Sequence, residues 1–205
     1  MTLDKYLLDR YGYNEPIYSA EIQFENYSRQ WIFKELKKLV TSGKIKRFDT
    51  GIYYCPQKMP WGESRLSPRK VVEQRFLSNG ENIYGYIAGV SLLNQTGLST
   101  QVPNLIELVT NNESTRVRDI LVGSQSVRAR RSRTYITPDN VKTLQLLDLM
   151  NTITPGGLDE TERLMLSKYV KASGVTRSSV SQYAGFFPAK ATKNMLESGV
   201  IYDIA

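Results

Sequence analysis

Residues 26–56 read NYSRQWIFKELKKLVTSGKIKRFDTGIYYCP. Ser28 is placed to cap a helix running to about Ser42, because its side-chain oxygen accepts one of the backbone N–H groups that a helix start leaves unpaired. Ile32, Leu36, Leu39 and Val40 fall at i, i+4, i+7 and i+8, which is one apolar face. Gln30, Lys34, Lys37 and Thr41 fall opposite, with Lys38 at the edge and Arg29 near the start. Gly43 stands where a left-handed residue ends a helix at little cost. The runs KIKRF and GIYYC then alternate about Asp49-Thr50-Gly51, the pattern of a tight hairpin. The stretch therefore predicts a helix with one basic face, leading into a short ribbon.

Upstream, Leu3, Leu7 and Leu8 with Tyr6 and Tyr11 predict a helix over Leu3–Tyr11 that stops at Gly12. Ser19 is a candidate N-cap for a second short helix over Ala20–Phe24. Three helices and a two-stranded ribbon are the element order of a winged helix-turn-helix, expected here over residues 1–57. In that fold the third helix enters the major groove, with its first residues at base edges, while the hairpin lies along phosphates. Lys34, Lys37 and Lys38 are the candidate groove-facing cations. The simpler reading is a solvated Lys-rich surface with Tyr53 and Tyr54 packing the hairpin, or a winged helix that contacts only protein.

Charge agrees with an anionic partner. The chain of 205 residues carries a formal net charge of +7 and a pI near 9.4. Between Ser28 and Lys58 there are eight Lys or Arg against two carboxylates. A second basic surface is expected from Arg116, Arg118, Arg128, Arg130, Arg131 and Arg133. Charge of this kind favours association with polyanions but says nothing about fold.

Absences narrow the chemistry. With no His and one Cys, His-activated nucleophiles, His-ligated metals, zinc clusters and an internal disulfide framework are all excluded. There is no GxxxxGK[ST] or GxGxxG phosphate loop. Asp4/Asp9 and Asp159/Glu160 read as solvated carboxylates near helix N-termini, where the helix dipole favours them. No catalytic residue, metal or cofactor is expected, and the chain reads as a non-enzyme. The charged start MTLDKYLLDRYGY lacks the apolar core of a signal peptide, and no membrane-length apolar run occurs, so a cytoplasmic location is expected.

QKMPWGESRLSPRK has no apolar period and reads as a linker over 58–68. Beyond it, residues 69–205 are expected to be α+β, with a small sheet and a helical C-terminal part. A helix is expected from about Pro68 to Phe76, then the loop Ser78–Asn82. YGYIAGVSLLNQTGLSTQVP reads as a helix stopped by Gly97, and NLIELVTNN as a strand. TRVRDILVGSQSVRARRSRTYI reads as strands about Gly123-Ser124, with Arg128 and Arg130 on one face and Arg131 and Arg133 on the other. Those arginines guard an exposed strand edge against aggregation or form a contact surface for phosphates or an acidic partner. Helices are expected from Pro138, over Asp159–Lys171, and twice within Val175–Gly199. The last pair, with Arg177, Lys190 and Lys193, echoes a helix-turn-helix but reads as ordinary helical packing.

The run SGKIKRFDTGIYY followed by GYIAGVSLLNQTGLSTQVPN resembles the AbiEi-type antitoxins of abortive-infection toxin–antitoxin systems. The resemblance spans roughly residues 5–155, and its more distinctive part is the SLLN, GL and TQVP sequence of the middle segment. It implies an autorepressor whose N-terminal domain binds operator inverted repeats in multiple copies. The C-terminal domain would counteract a co-encoded nucleotidyltransferase toxin, without a stable complex. Carried onto this sequence, the DNA-facing positions are Ser28, Arg29, Gln30 and Lys34 on the helix and Lys46, Arg47 and Thr50 on the wing. The alternative is a winged-helix regulator with a ligand- or partner-sensing second domain and no toxin. No motif assigns a role to residues 156–205.

Overall fold

A computed structural model describes residues 1–80 and 82–204; Glu81, inside the expected Ser78–Asn82 loop, lies outside the described residues. The fold is mixed α+β and divides into two compact units. The first comprises Met1–Gln74 with Val122–Ser124, the second Arg75–Leu121 with Gln125–Ala205.

In the first unit, α1 (Leu3–Tyr11) and α2 (Arg29–Thr41) are the long helices. Strands β1 (Ile17–Tyr18), β2 (Lys46–Asp49) and β3 (Ile52–Tyr54) form a sheet in the order β1-β3-β2. The β2–β3 hairpin is antiparallel, with an irregularity between Arg47 and Asp49. Gly51, at φ +74°, takes the left-handed turn position. The apolar face of α2 is buried as its spacing requires. Ile32, Leu36 and Leu39 join Leu3, Leu7, Ile17, Ile22, Phe24, Ile45 and Cys55 in one core. Each such aliphatic side chain contributes about 1.5–3 kcal/mol of burial.

The helix expected over Ala20–Phe24 does not form. The Ser19 N–H donates to Gly51 O rather than starting a helix, and Ile22 and Phe24 are buried on either side of an exposed Gln23. That is a period of two, not 3.6. Glu25 then adopts φ +46°, which ends any helical run. Phe24, Tyr27 and Trp31 stack, Tyr27 on Trp31 at 3.9 Å between ring centres, so aromatic packing holds the segment.

The stretch expected as a linker is also structured. β4 (Lys58–Met59) pairs with β5 (Gly62–Glu63) in a small hairpin. Ser64 fastens it, accepting from Gln57 N at 2.8 Å and donating to Asn14 Oδ1 at 2.6 Å. α3 (Pro68–Val72) follows with Pro68 in its first turn, where a missing N–H costs nothing, and widens into a π-helical turn over Glu73–Leu77.

The second unit opens with the short pair β6 (Ser78–Asn79) and β7 (Asn82–Ile83). The stretch expected as a single helix to Gly97 divides into β8 (Gly85–Ile87) and α4 (Gly89–Gln95). Tyr86 and Ile87 pair with Val109 and Leu108 of β9 (Leu105–Thr110), so cross-strand pairing outweighs helical spacing there. β10 (Val117–Val122) and β11 (Gln125–Arg131) complete a sheet in the order β10-β11-β9-β8, with β11 parallel to β9.

α5 (Val141–Thr152) is buried nearly all round, Thr143, Gln145 and Asp148 included, and so forms the core helix, with Leu144, Leu146, Leu147 and Met150 fully buried. α6 (Glu160–Ser173), α7 (Arg177–Tyr183) and α8 (Ala189–Glu197) enclose it, through Leu166, Val170, Val180, Ala191 and Met195. Asp159 and Glu162 form a capping box at the start of α6. Asn194, buried on α8, donates to Met150 O at 2.7 Å and Ile153 O at 2.9 Å, closing the C-terminal end of α5.

Candidate functional site

The Ser28 hydroxyl accepts from Trp31 N at 3.3 Å and caps α2, a contact worth about 1 kcal/mol. Ser28 is thus committed to the helix, although still exposed. Gln30, Lys34 and Lys37 are exposed on the helix face opposite the core, and none has a side-chain hydrogen bond or ion pair among the described residues. Arg29 donates to Ala20 O at 3.1 Å, so its guanidinium is partly spent on the turn below. Lys38 pairs with Glu35 at 2.8 Å. A partly exposed i,i+3 pair of this kind is worth under about 1 kcal/mol, so it holds Lys38 only loosely.

Phe33 lies on the same face, 49% exposed, and the sequence reading passed over it. The signal was present: an aromatic residue off the Ile32-Leu36-Leu39 stripe, among cations. An exposed apolar ring there is a candidate for contact with a thymine methyl group.

On the hairpin, Arg47 and Thr50 are joined. The guanidinium donates to Thr50 Oγ1 at 3.2 Å and to Asp49 O at 3.3 Å, while Asp49 Oδ1 accepts from Thr50 N at 2.6 Å. The turn is therefore a preformed polar tip carrying one cation. Lys46 is half-buried and pairs with Glu63 of β5 at 3.0 Å, which reduces its value as a free phosphate contact.

The second basic surface is not uniform. Arg118 pairs with the buried Glu113 at 2.9 Å, and Arg128 grips Asp119 through two bonds of 2.8 Å. Arg130 reaches Asp148 of α5 at 2.6 Å; the Asp148 carboxylate is 3% exposed. Arg116, Arg131 and Arg133 have no carboxylate partner among the described residues; Arg133 lies over the Phe187 ring at 5.5 Å. These three, with Arg130, line a cavity of about 450 Å³ together with Tyr86 and Asp148. The expected division of faces thus matters less than pairing. Arg118 and Arg128 are neutralised, while the other four converge.

The shifts of Glu113, Asp119 and Cys55 follow from their immediate surroundings. Burial raises the Glu113 pKa, but donors from Thr115 and Ser114 and the Arg118 charge outweigh it, leaving the carboxyl below its ordinary value. Arg128 beside Asp119 likewise holds that carboxyl below the usual range. Burial, with a contribution from Asp4, pushes the Cys55 thiol up to about 11. Such a thiol is a poor nucleophile at neutral pH. Among the described residues no group of three or more His, Cys, Asp or Glu is arranged to hold a metal ion, and no helix is long and apolar enough to cross a membrane.

The chain matches no family model and no curated protein.

Proposed function

We propose that the chain is a DNA-binding autorepressor and antitoxin of the AbiEi kind, acting on the operon that encodes it. In this reading the first unit is a winged-helix variant. α2 is the recognition helix, the β2–β3 hairpin is the wing, and the aromatic-stacked turn over 19–27 stands where a helix is usual. The observation that carries the reading is the α2 face, where Gln30, Phe33, Lys34 and Lys37 are exposed and both lysines lack a carboxylate partner among the described residues. Gln30 supplies the amide that pairs with an adenine edge, and Lys34 and Lys37 supply charge to guanine edges or phosphates. A single unit of this size buries little surface, so two or more copies on paired half-sites provide the specificity.

The test is binding to labelled DNA from immediately upstream of the gene, at two salt concentrations and against scrambled competitor. Sequence-preferring binding that is lost in Lys34→Ala/Lys37→Ala supports the repressor reading; equal binding to scrambled DNA, or a variant as good as wild type, removes it. The antitoxin half is tested by co-expression with an adjacent nucleotidyltransferase gene, where failure to relieve its growth inhibition counts against it.

A further inference from the structure

A cavity in the second unit has a chemical character that DNA recognition by α2 does not use. Arg116 precedes β10 and Arg131 ends β11, and the backbone of the two residues is joined by Arg131 N–H to Arg116 O at 3.4 Å. The next residue, Ser132, donates its N–H to Thr110 O at 3.2 Å, which fixes the chain as it leaves the sheet. Arg133 is held over Phe187, and Arg130 is anchored from below by Asp148. Four guanidinium groups therefore line one cavity, and among the described residues the one carboxylate lining it, Asp148, is already engaged.

Like charges gathered around one concavity repel one another, and an anion placed among them removes that repulsion. The planar guanidinium fork matches phosphate oxygens in pairs, and three forks without a carboxylate partner among the described residues exceed what a single carboxylate needs. The cavity's volume of about 450 Å³ is within the range of small-molecule sites and too small for a duplex. Val109, Val117 and the buried Tyr86 give it an apolar side for the remainder of such a ligand.

We propose that this cavity binds a small molecule carrying two or more phosphate groups, making the second unit a ligand-sensing one. Arg116, Arg131 and Arg133 take the phosphates, and the Arg130–Asp148 pair forms the floor.

The test is calorimetric titration and thermal unfolding of the full chain with pyrophosphate and with adenosine diphosphate. Sulfate at matched ionic strength is the control for general anion binding. Arg116→Ala and Arg131→Ala replace exposed side chains with no carboxylate partner among the described residues, so both variants should retain the fold. Saturable binding that raises the melting temperature and weakens about tenfold or more in each variant is the expected result. The Lys34→Ala/Lys37→Ala variant should bind pyrophosphate as wild type does, whatever becomes of the DNA reading. Equal response to sulfate, unchanged affinity in both arginine variants, or displacement of bound pyrophosphate by short DNA as effectively as by the diphosphate would each overturn the proposal.

Discussion

Gly85 and Phe76 are packed so closely that a Cβ on Gly85 would fall inside the Phe76 carbonyl oxygen, and 2.8 Å from the carbonyl oxygen of Val109 as well. Both obstacles are backbone, so no side-chain rotation relieves them. Gly85→Ala should therefore destabilise the second unit by about 3 kcal/mol, the upper end of the usual overpacking cost. Urea unfolding of the variant checks this, and a loss below 0.5 kcal/mol would show that β8 moves freely.

Asn194 satisfies two carbonyls at the end of α5 from within the core. Asn194→Leu keeps the approximate volume but strands both acceptors. A loss of about 1–3 kcal/mol is expected, measured as a drop in unfolding midpoint without a change in denaturant slope.

Arg130 and Arg131 are neighbours with opposite consequences. Removing Arg130 leaves the 3%-exposed Asp148 carboxylate without its cation, which should cost about 3–5 kcal/mol. Arg131→Ala removes an exposed side chain with no carboxylate partner among the described residues and should change stability by no more than about 0.5 kcal/mol. Thermal unfolding of the two variants side by side makes the comparison.

If Lys34 and Lys37 each neutralise a phosphate, replacing both should lower the slope of log affinity against log salt by about 2. The loss should be nearly the same for operator and scrambled DNA. A Gln30→Ala variant should instead lose preference for the operator while keeping the salt slope. Filter binding across a salt series separates the two outcomes.

The folded-state pKa of Cys55 is raised from 9.0 to about 11. A raised pKa means that folding favours the protonated thiol, so this contribution is whole below pH 9 and disappears as pH rises toward 11. Wild type should lose stability across that window more steeply than Cys55→Ala. At pH 8 the native thiol should react with a disulfide reagent far more slowly than the urea-unfolded chain does.

α2, its Gly43 stop and the β2–β3 hairpin were legible in the sequence because cap, apolar spacing and turn residues all pointed the same way. α5 was legible from its leucines. The Ala20–Phe24 segment was not, since its shape comes from Tyr27 and Trp31 stacking and from a hydrogen bond to Gly51 across the sheet. β8 was misread as helix because Tyr86 and Ile87 take their conformation from β9, distant in sequence. At the candidate sites the exposed lysines followed directly from helical periodicity. Which arginines are neutralised depended on Glu113, Asp119 and Asp148, and no local pattern discloses those partners.

The fold does not end near Pro155. α5 lies on the near side of that point and is surrounded by α6, α7 and α8 from the far side, with Asn194 holding its last carbonyls. Residues 156–204 are therefore no detachable tail. A chain cut at Pro155 would expose the leucines of α5 that α6, α7 and α8 now cover, and should aggregate instead of yielding a smaller working domain. Change in the C-terminal helices is thus constrained by α5, whatever those helices contribute on their outer surface.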